Sequence, residues 1–276
     1  MSSHGLPITS NPDSQDTSTT QTGTTLQDSN QIDLPQYKCP LCLDTGWIQC
    51  EIEGGYTGVK ECECQKVRRA EQRIQASGLA DEIKEKTFKN FRAETDWQKN
   101  LKNTAIEYGK VYFEKREAKE KLPWFFVSGE PGSGKTHICT ALCGAMLNRG
   151  VPVTYMQWVT ESRRLRATVN DSDSFDANVI PFIDVEVLYI DDLFKQPNHQ
   201  SINVTDAEGK VLFEILNNRY MQNKATIIST EWFLETELMG VDVGTFSRVY
   251  ERAKGFTVSI ERGMDKNYRI NGGISD

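Results

Sequence analysis

Short apolar runs alternate with helical patterns along the chain beyond residue 123. The helical patterns predict helices at 135–149, 159–168, 206–221 and 242–253. The apolar runs predict the strands of a sheet, at Trp124–Ser128, Val153–Met156, Val185–Ile190, Thr226–Ser229 and Phe256–Ile260. Such alternation is typical of an α/β domain with a parallel sheet.

The residues before 123 fall into three parts. Residues 1–36 are rich in Ser, Thr, Gln, Asn and Asp and contain no aromatic residue, which predicts a disordered polar tail because little apolar surface is available for burial. Residues 37–80 contain clustered cysteines and a basic stretch, Lys66–Ala76, that predicts a helix ending near Gly78. A charged amphipathic region then leads into the first strand, so residues 81–276 are assigned to the main domain.

Composition and charge narrow the class of protein. The chain has 276 residues, 38% hydrophobic, and a net charge of −7. No apolar stretch approaches the roughly 20 residues of a membrane span, and we expect a cytoplasmic protein without a membrane contact. The charge does not indicate nucleic-acid binding, because only the basic runs at 66–73 and 163–166 are dense, and both are equally typical of solvated helix faces.

A phosphate-binding loop follows the first predicted strand. Its glycines let backbone N–H groups turn toward phosphate oxygens, and the N-terminus of the next helix adds positive potential. Lys135 would contact the β- and γ-phosphates, and the Thr136 hydroxyl would bind magnesium. The residues assigned to nucleotide binding are Gly129, Glu130, Pro131, Gly132, Ser133, Gly134, Lys135, Thr136 and His137.

A pair of carboxylates ends the third predicted strand, Val185–Ile190. Ligands collect at the carboxyl ends of strands in open α/β sheets. Asp191 would hold magnesium together with Thr136, and Asp192 would orient or polarise the attacking water, which favours ATP hydrolysis over binding alone. A hydroxyl at the end of the fourth strand, at Ser229 or Thr230, would serve as a γ-phosphate sensor, although Ser and Thr are also ordinary turn residues.

The cysteines before the main domain have the spacing of a metal site. Cys39 and Cys42 are separated from Cys62 and Cys64 by a segment whose Gly54-Gly55 pair predicts a hairpin turn. Four thiolates brought within about 4 Å of one another suit a structural zinc ion. Cys50 lies inside the hairpin and is either a spare or a replacement ligand.

Eight segments together resemble the bacterial and phage DnaC/DnaI-type replicative helicase loaders, a clade of AAA+ ATPases. These segments are Cys39–Trp47, Cys62–Cys64, Thr87–Phe91, Gly132–His137, Tyr189–Leu193, Ile227–Trp232, Ser247–Arg252 and Asn267–Arg269. The resemblance implies an AAA+ core that binds ATP, Mg²⁺ and Zn²⁺ and self-associates. It also implies an N-terminal module, residues 37–80, that grips a DnaB-type helicase, which the assembly delivers onto single-stranded DNA.

The resemblance also assigns roles to single residues. Arg248 falls at the position of the arginine finger, which reaches a nucleotide on a neighbouring subunit, and Arg252 is the alternative. Glu231 stands where many relatives have a sensor asparagine, so the sensor role is assigned to Thr230. Only 16 residues follow Ile260, too few for a helical lid.

Two other functions compete with helicase loading. The first is an IstB-like transposition helper, which shares the ATPase motifs but not the cysteine module. The second is a zinc-ribbon nucleic-acid-binding protein whose core is a nucleotide-gated scaffold. Asp191 and Asp192 argue against an inert core, and the cysteine module favours the loader.

Overall fold

The computed structural model describes residues 37–52, 55–76, 79–196 and 201–271. The predicted disordered tail lies outside the described residues, as do Gly54 of the predicted hairpin turn and Gly78 of the predicted helix end. The described residues fold as expected for an α/β protein preceded by a small cysteine-containing module.

The cysteine-containing module is built on an antiparallel hairpin. Its strands are β1 (Trp47–Ile52) and β2 (Tyr56–Glu61), which pair from Trp47 opposite Glu61 to Ile52 opposite Tyr56. The basic stretch then forms helix α1 (Cys64–Ala76), followed by α2 (Leu79–Glu85). The hairpin returns the chain to its start, which brings residues 62–64 back to residues 39–42.

A five-stranded parallel sheet forms the centre of the main domain. Its strands lie in the order β4-β5-β6-β3-β7. They are β3 (Phe125–Gly129), β4 (Val153–Gln157), β5 (Val187–Leu193), β6 (Ala225–Thr230) and β7 (Thr257–Ile260). This confirms the predicted fold class, since each predicted strand overlaps one of these five.

Helices cover both faces of the sheet. They are α3 (Asp96–Glu117), α4 (Lys135–Leu147), α5 (Trp158–Arg166), α6 (Ser172–Asp184), α7 (Asp206–Met221), α8 (Met239–Val241), α9 (Val243–Arg252) and α10 (Tyr268–Asn271). A π-helical turn spans Leu234–Leu238, and a 3-10 turn spans Met264–Lys266. Helix α6 was not predicted, because its first half is polar and Pro181 lies inside it.

Four strands of the sheet, β3 to β6, contribute to two separate hydrophobic cores, whereas β7 contributes Val258 and Ile260 to one of them. In β3, Phe126 packs with Leu188 and Ile190 in one core, whereas Phe125 and Val127 belong to the other. Alternate side chains of a strand point to opposite faces, so strands covered on both faces read as continuous apolar runs. This is why the apolar runs in the sequence located the strands well.

The boundary between the two parts of the chain is closely packed. Ile74 of α1 and Leu79 of α2 are 3% and 1% exposed and pack in the same core as Phe125 and Val127. The division at residues 80 and 81 stays a prediction, and truncation there would remove two side chains from the core of the main domain. None of the helices in the described ranges is sufficiently long and apolar to span a membrane.

Candidate phosphate site and cysteine centre

The loop between β3 and α4 has the backbone that a phosphate-binding loop requires. Gly129, Gly132 and Gly134 adopt φ angles of 112°, 73° and 89°, a region that favours glycine. Gly129 is further restricted, because a Cβ there would lie 1.8 Å from the Ile260 carbonyl oxygen. The sequence motif is therefore matched by a loop that turns sharply between a buried strand and a helix N-terminus.

Lys135 is buried within this loop. Its side-chain nitrogen donates to the carbonyl oxygens of Gly129 at 2.8 Å and Glu130 at 2.7 Å. Burial lowers the pKa of Lys135 to about 8. An anionic group in the loop would favour the ammonium form, so the buried cation fits a phosphate ligand.

Asp191 is held at the carboxyl end of β5 by hydroxyl groups. Its carboxylate accepts hydrogen bonds from Thr136 Oγ1 at 3.1 Å, Tyr155 OH at 3.0 Å, Tyr189 OH at 2.6 Å and Ser229 Oγ. Burial raises the pKa of Tyr155 and Tyr189, so both remain donors. Thr136 and Asp191 are thus adjacent, and hard oxygen ligands of this kind fit magnesium.

Asp192 lies at an irregular point in β5. The pairing of β5 with β6 shifts register between Ile190 and Leu193, and Asp192 has a φ of 55°. Its backbone N–H donates to Ser229 Oγ at 3.2 Å, while its carboxylate accepts from Lys195 at 2.7 Å. This bulge lets Asp192 share a cavity with Lys135 although Asp191 directly precedes it.

We name this cavity, of about 220 Å³, the phosphate pocket. Its lining combines loop residues with charged side chains from four other segments. The lining residues are Lys86, Gly132, Gly134, Lys135, Thr136, His137, Asp192, Lys195, Glu231 and Arg269. Of these residues, the sequence motifs had assigned Gly132, Gly134, Lys135, Thr136, His137 and Asp192 to the site.

Lys86, Lys195, Glu231 and Arg269 are site residues that the motif analysis did not assign. Arg269 reaches the pocket because the C-terminal segment returns to the loop, where the Tyr268 N–H donates to the Gly132 carbonyl at 3.0 Å. The Asn267–Arg269 motif was a signal for this position, but the motif analysis gave Arg269 no role in the site.

The two hydroxyls at the end of β6 point in different directions. Thr230 Oγ1 donates to the Leu193 carbonyl at 2.8 Å and is buried, away from the phosphate pocket. Ser229 instead donates to Asp191. The sensor role of Thr230 stays a prediction, and Thr230 is not among the residues that line the pocket.

The two candidate arginine fingers differ in environment. Arg252 is 5% exposed and donates to the carbonyl oxygens of Leu122 and Tyr220, each at 3.0 Å. Arg248 is partly exposed on α9 and lies against the rings of Phe213 and Tyr220. Arg248 donates to the Gly244 carbonyl of its own helix. The difference between the two arginines is therefore that Arg252 is buried and Arg248 is partly exposed.

His137 connects the phosphate-binding loop to the segment before α3. Its Nε2 lies 2.9 Å from the Thr87 carbonyl oxygen, and its ring contacts the edge of Phe91. Burial lowers the pKa of His137, so the ring favours its neutral form. Phe91 in turn packs against Gly134, where a Cβ would lie 2.8 Å from its ring.

The four predicted zinc ligands meet at one point. The Sγ atoms of Cys39 and Cys62 are 3.8 Å apart, those of Cys42 and Cys64 are 3.5 Å apart, and all four lie within 4.8 Å. Sulfurs placed tetrahedrally about 2.3 Å from zinc would be about 3.8 Å apart, so the group fits zinc. Cys50 lies in β1 outside this group.

The parallel sheet, the phosphate-binding loop and the paired aspartates define a P-loop ATPase of the AAA+ class. The sequence profile of the IstB-like ATP binding protein family matches residues 60–238, which is more than half of the chain. The chain therefore belongs to this family of ATPases.

Individual relatives give a consistent picture. YqaM of Bacillus subtilis (strain 168) is 32% identical over 216 residues, covering 76% of this chain and 66% of YqaM. The PBSX phage-like element protein XkdC of the same organism is 29% identical over 246 residues, covering 88% and 90%. The replicative helicase loader DnaC of Escherichia coli (strain K12) is 24% identical over 184 residues, covering 66% and 69%.

Solved structures support the fold. The crystal structure of the DnaC helicase loader has a TM-score of 0.52 at 18% identity, covering 66% of this chain and 99% of that structure. The crystal structure of DnaI has a TM-score of 0.51 at 19% identity, covering 66% and 93%. Both are similar in the arrangement of the ATPase core.

The cysteine centre predicts about one zinc per purified chain. Substitution of Cys39 or Cys64 by Ser should remove the zinc and unfold the hairpin, because a structural metal contributes directly to folding. Cys50→Ser is the matched control and should retain zinc. Metal analysis of the reduced protein checks this, and a zinc-free wild type or a zinc-free Cys50→Ser protein would contradict it.

Proposed function

We propose that the protein is an ATP-dependent helicase loader in DNA replication. It would deliver a DnaB-type replicative helicase onto single-stranded DNA, with ATP hydrolysis as the switch for assembly and release. The observation that carries this proposal is the combination, in one chain similar to DnaC, of the phosphate pocket with a four-cysteine centre. The ATPase core would supply the switch for assembly and release, and the cysteine module would supply a second surface, which binds the helicase.

The pocket residues have separable roles in this proposal. Backbone N–H groups of the loop and the Lys135 ammonium would bind the phosphates. Phosphate oxygens would then replace the Gly129 and Glu130 carbonyls as the hydrogen-bond acceptors of Lys135. Thr136 and Asp191 hold magnesium, which neutralises phosphate charge when bound. Asp192 orients the attacking water and accepts its proton. The enzyme thus separates binding, by the loop, from turnover, by Asp192.

The helicase would contact the cysteine module through apolar side chains more than through its basic helix. Arg68 is paired with Asp44 at 2.6 Å, and Arg69 is paired with Glu61. These charges are therefore used within the module. Its exposed large apolar side chains include Leu41 and Val59, which are 75% and 67% exposed. Apolar anchors of this kind dominate the energy of many protein interfaces.

The docking proposal predicts that Leu41→Ser combined with Val59→Ser weakens helicase binding by about tenfold or more, because apolar contact area is lost. Met221→Ser, at a side chain that is 74% exposed on α7, should leave the affinity unchanged. Affinity for a purified DnaB-type helicase measures this. Surface substitution is preferred to truncation, because Ile74 and Leu79 pack in the ATPase core.

Equal helicase affinity of the Leu41→Ser, Val59→Ser double variant and the Met221→Ser control would contradict the docking proposal.

The IstB-like family match favours a second candidate, a transposition helper acting on duplex DNA. Under that function the chain would bind no replicative helicase at all. It would instead bind a transposase, so titration with both partners distinguishes the two functions.

Arg248 would complete the phosphate pocket of a neighbouring copy of the chain. The motivating contrast is one of exposure: Arg252 is buried and bonded to the Leu122 and Tyr220 carbonyls, whereas Arg248 is partly exposed and bonded to the Gly244 carbonyl of its own helix. Arginine suits this role because it remains charged and donates two hydrogen bonds to phosphate oxygens.

The shared site predicts a result for mixed samples. The Lys135→Ala protein should not bind nucleotide, and the Arg248→Ala protein lacks the arginine finger. Each variant alone should therefore be nearly inactive. Mixing them should restore ATPase activity, up to about one quarter of the wild-type rate for random neighbours, because some pockets then receive both residues. Arg252→Ala should chiefly lower thermal stability. Absence of any recovery in a mixture that still assembles would contradict the role of Arg248.

A further inference from the structure

Lys195 lies in the phosphate pocket, although it belongs to none of the nucleotide-binding motifs. It follows β5 by two residues. Its ammonium lies 2.7 Å from Asp192 Oδ2 and 3.8 Å from Glu231 Oε1. Lys135 and Thr136 of the loop line the same cavity. One cation thus joins two carboxylates inside the space where a polyphosphate would be bound.

Glu231 places a negative charge in the pocket, beside the Lys195 ammonium. Its side chain is 7% exposed and lines the phosphate pocket. A buried carboxylate next to a bound polyanion opposes binding, since charges interact strongly where water is excluded. Lys195 offsets part of this repulsion, because its ammonium lies beside the Glu231 carboxylate.

The backbone that carries Lys195 is firmly anchored. The Lys195 N–H donates to the Asp192 carbonyl at 3.0 Å, which closes a tight turn. Phe194 is 3% exposed, and its carbonyl accepts from Trp232 Nε1 at 2.9 Å. By contrast, the Lys195 side chain is 37% exposed. The ammonium therefore has freedom to exchange partners within the pocket while its stem stays in place.

Asp192 is affected by the present pairing. Its Oδ2 accepts a hydrogen bond from the ammonium, so Lys195 occupies the side of this oxygen that a water molecule would otherwise contact. Any anion that draws Lys195 away would free this oxygen. A triphosphate brings one more phosphate group than a diphosphate does, and its additional charge lies at the terminal position.

We propose that Lys195 recognises the γ-phosphate and releases Asp192 when it does so. Without nucleotide, Lys195 joins Asp192 and Glu231. With a triphosphate, its ammonium moves from Asp192 Oδ2 to the terminal phosphate and stays beside Glu231. The consequence for Asp192 rests on the role proposed for it in hydrolysis, whereas the preference for triphosphate depends only on Lys195 and Glu231.

Equilibrium titration with Mg-ADP and with a non-hydrolysable Mg-ATP analogue tests this without any turnover. Lys195→Ala should raise the Kd of the analogue about tenfold or more, since a charge-assisted contact is lost, and change the Kd of ADP less than about twofold. Lys195→Arg should keep the preference for triphosphate. Lys110→Ala, which removes an ammonium paired with Glu107 on the exposed face of α3, is the matched control.

The pairing itself is tested in the Lys195→Ala background. There, Glu231→Gln should recover at least about threefold in analogue affinity, because a negative charge that Lys195 no longer offsets is removed from the pocket. An equal loss of ADP and analogue affinity in Lys195→Ala would overturn the proposal, as would no loss in either. Failure of Glu231→Gln to recover affinity would do the same. No helicase or DNA is present, so the result is independent of the loader function.

Discussion

A buried carboxylate, Asp191, holds together the edge of the sheet where the chemistry is located. Removing a charged carboxylate from water costs several kcal/mol unless hydrogen bonds replace the lost hydration. Here hydroxyls from β4, β5, β6 and α4 do so, namely those of Tyr155, Tyr189, Ser229 and Thr136. These four contacts fix the phosphate-binding loop against three adjacent strands, so the pocket forms as part of the fold.

The constraint at Asp191 also explains the position of Asp192. A regular strand would direct consecutive side chains to opposite faces. The register shift in β5 and the positive φ of Asp192 bring its carboxylate into the pocket instead, and Ser229 contacts both residues. The carboxylate of Asp191 is therefore fixed inside the protein, whereas the carboxylate of Asp192, the next residue, can exchange partners. This division suits an ATPase that first binds nucleotide and then hydrolyses it.

Local patterns predicted much of this structure, whereas contacts between distant segments were not predictable. The strands and the phosphate-binding loop have strong signals, because burial on both sheet faces and the glycine spacing are visible in sequence. The cysteine spacing likewise placed Cys39 and Cys42 near Cys62 and Cys64. Lys195, Glu231 and Arg269 reach the pocket through a turn, a strand end and a returning C-terminal segment. Lys195 has no sequence signal of its own, and the motifs that contain Glu231 and Arg269 did not show that their side chains meet in one cavity. The burial of Arg252 was equally invisible, because its partners lie near residues 122 and 220.

In the phosphate pocket, nucleotide binding should depend on Lys135, whereas ATP hydrolysis should depend on Asp192. Mg-ATP affinity and ATPase rate, measured together on three proteins, test this most directly. Lys135→Ala should lose detectable binding, while Asp192→Asn should bind Mg-ATP within a few-fold of wild type and lose about a hundredfold or more in turnover, because Asp192 acts once water attacks. Turnover by Asp192→Asn at the wild-type rate would contradict the account.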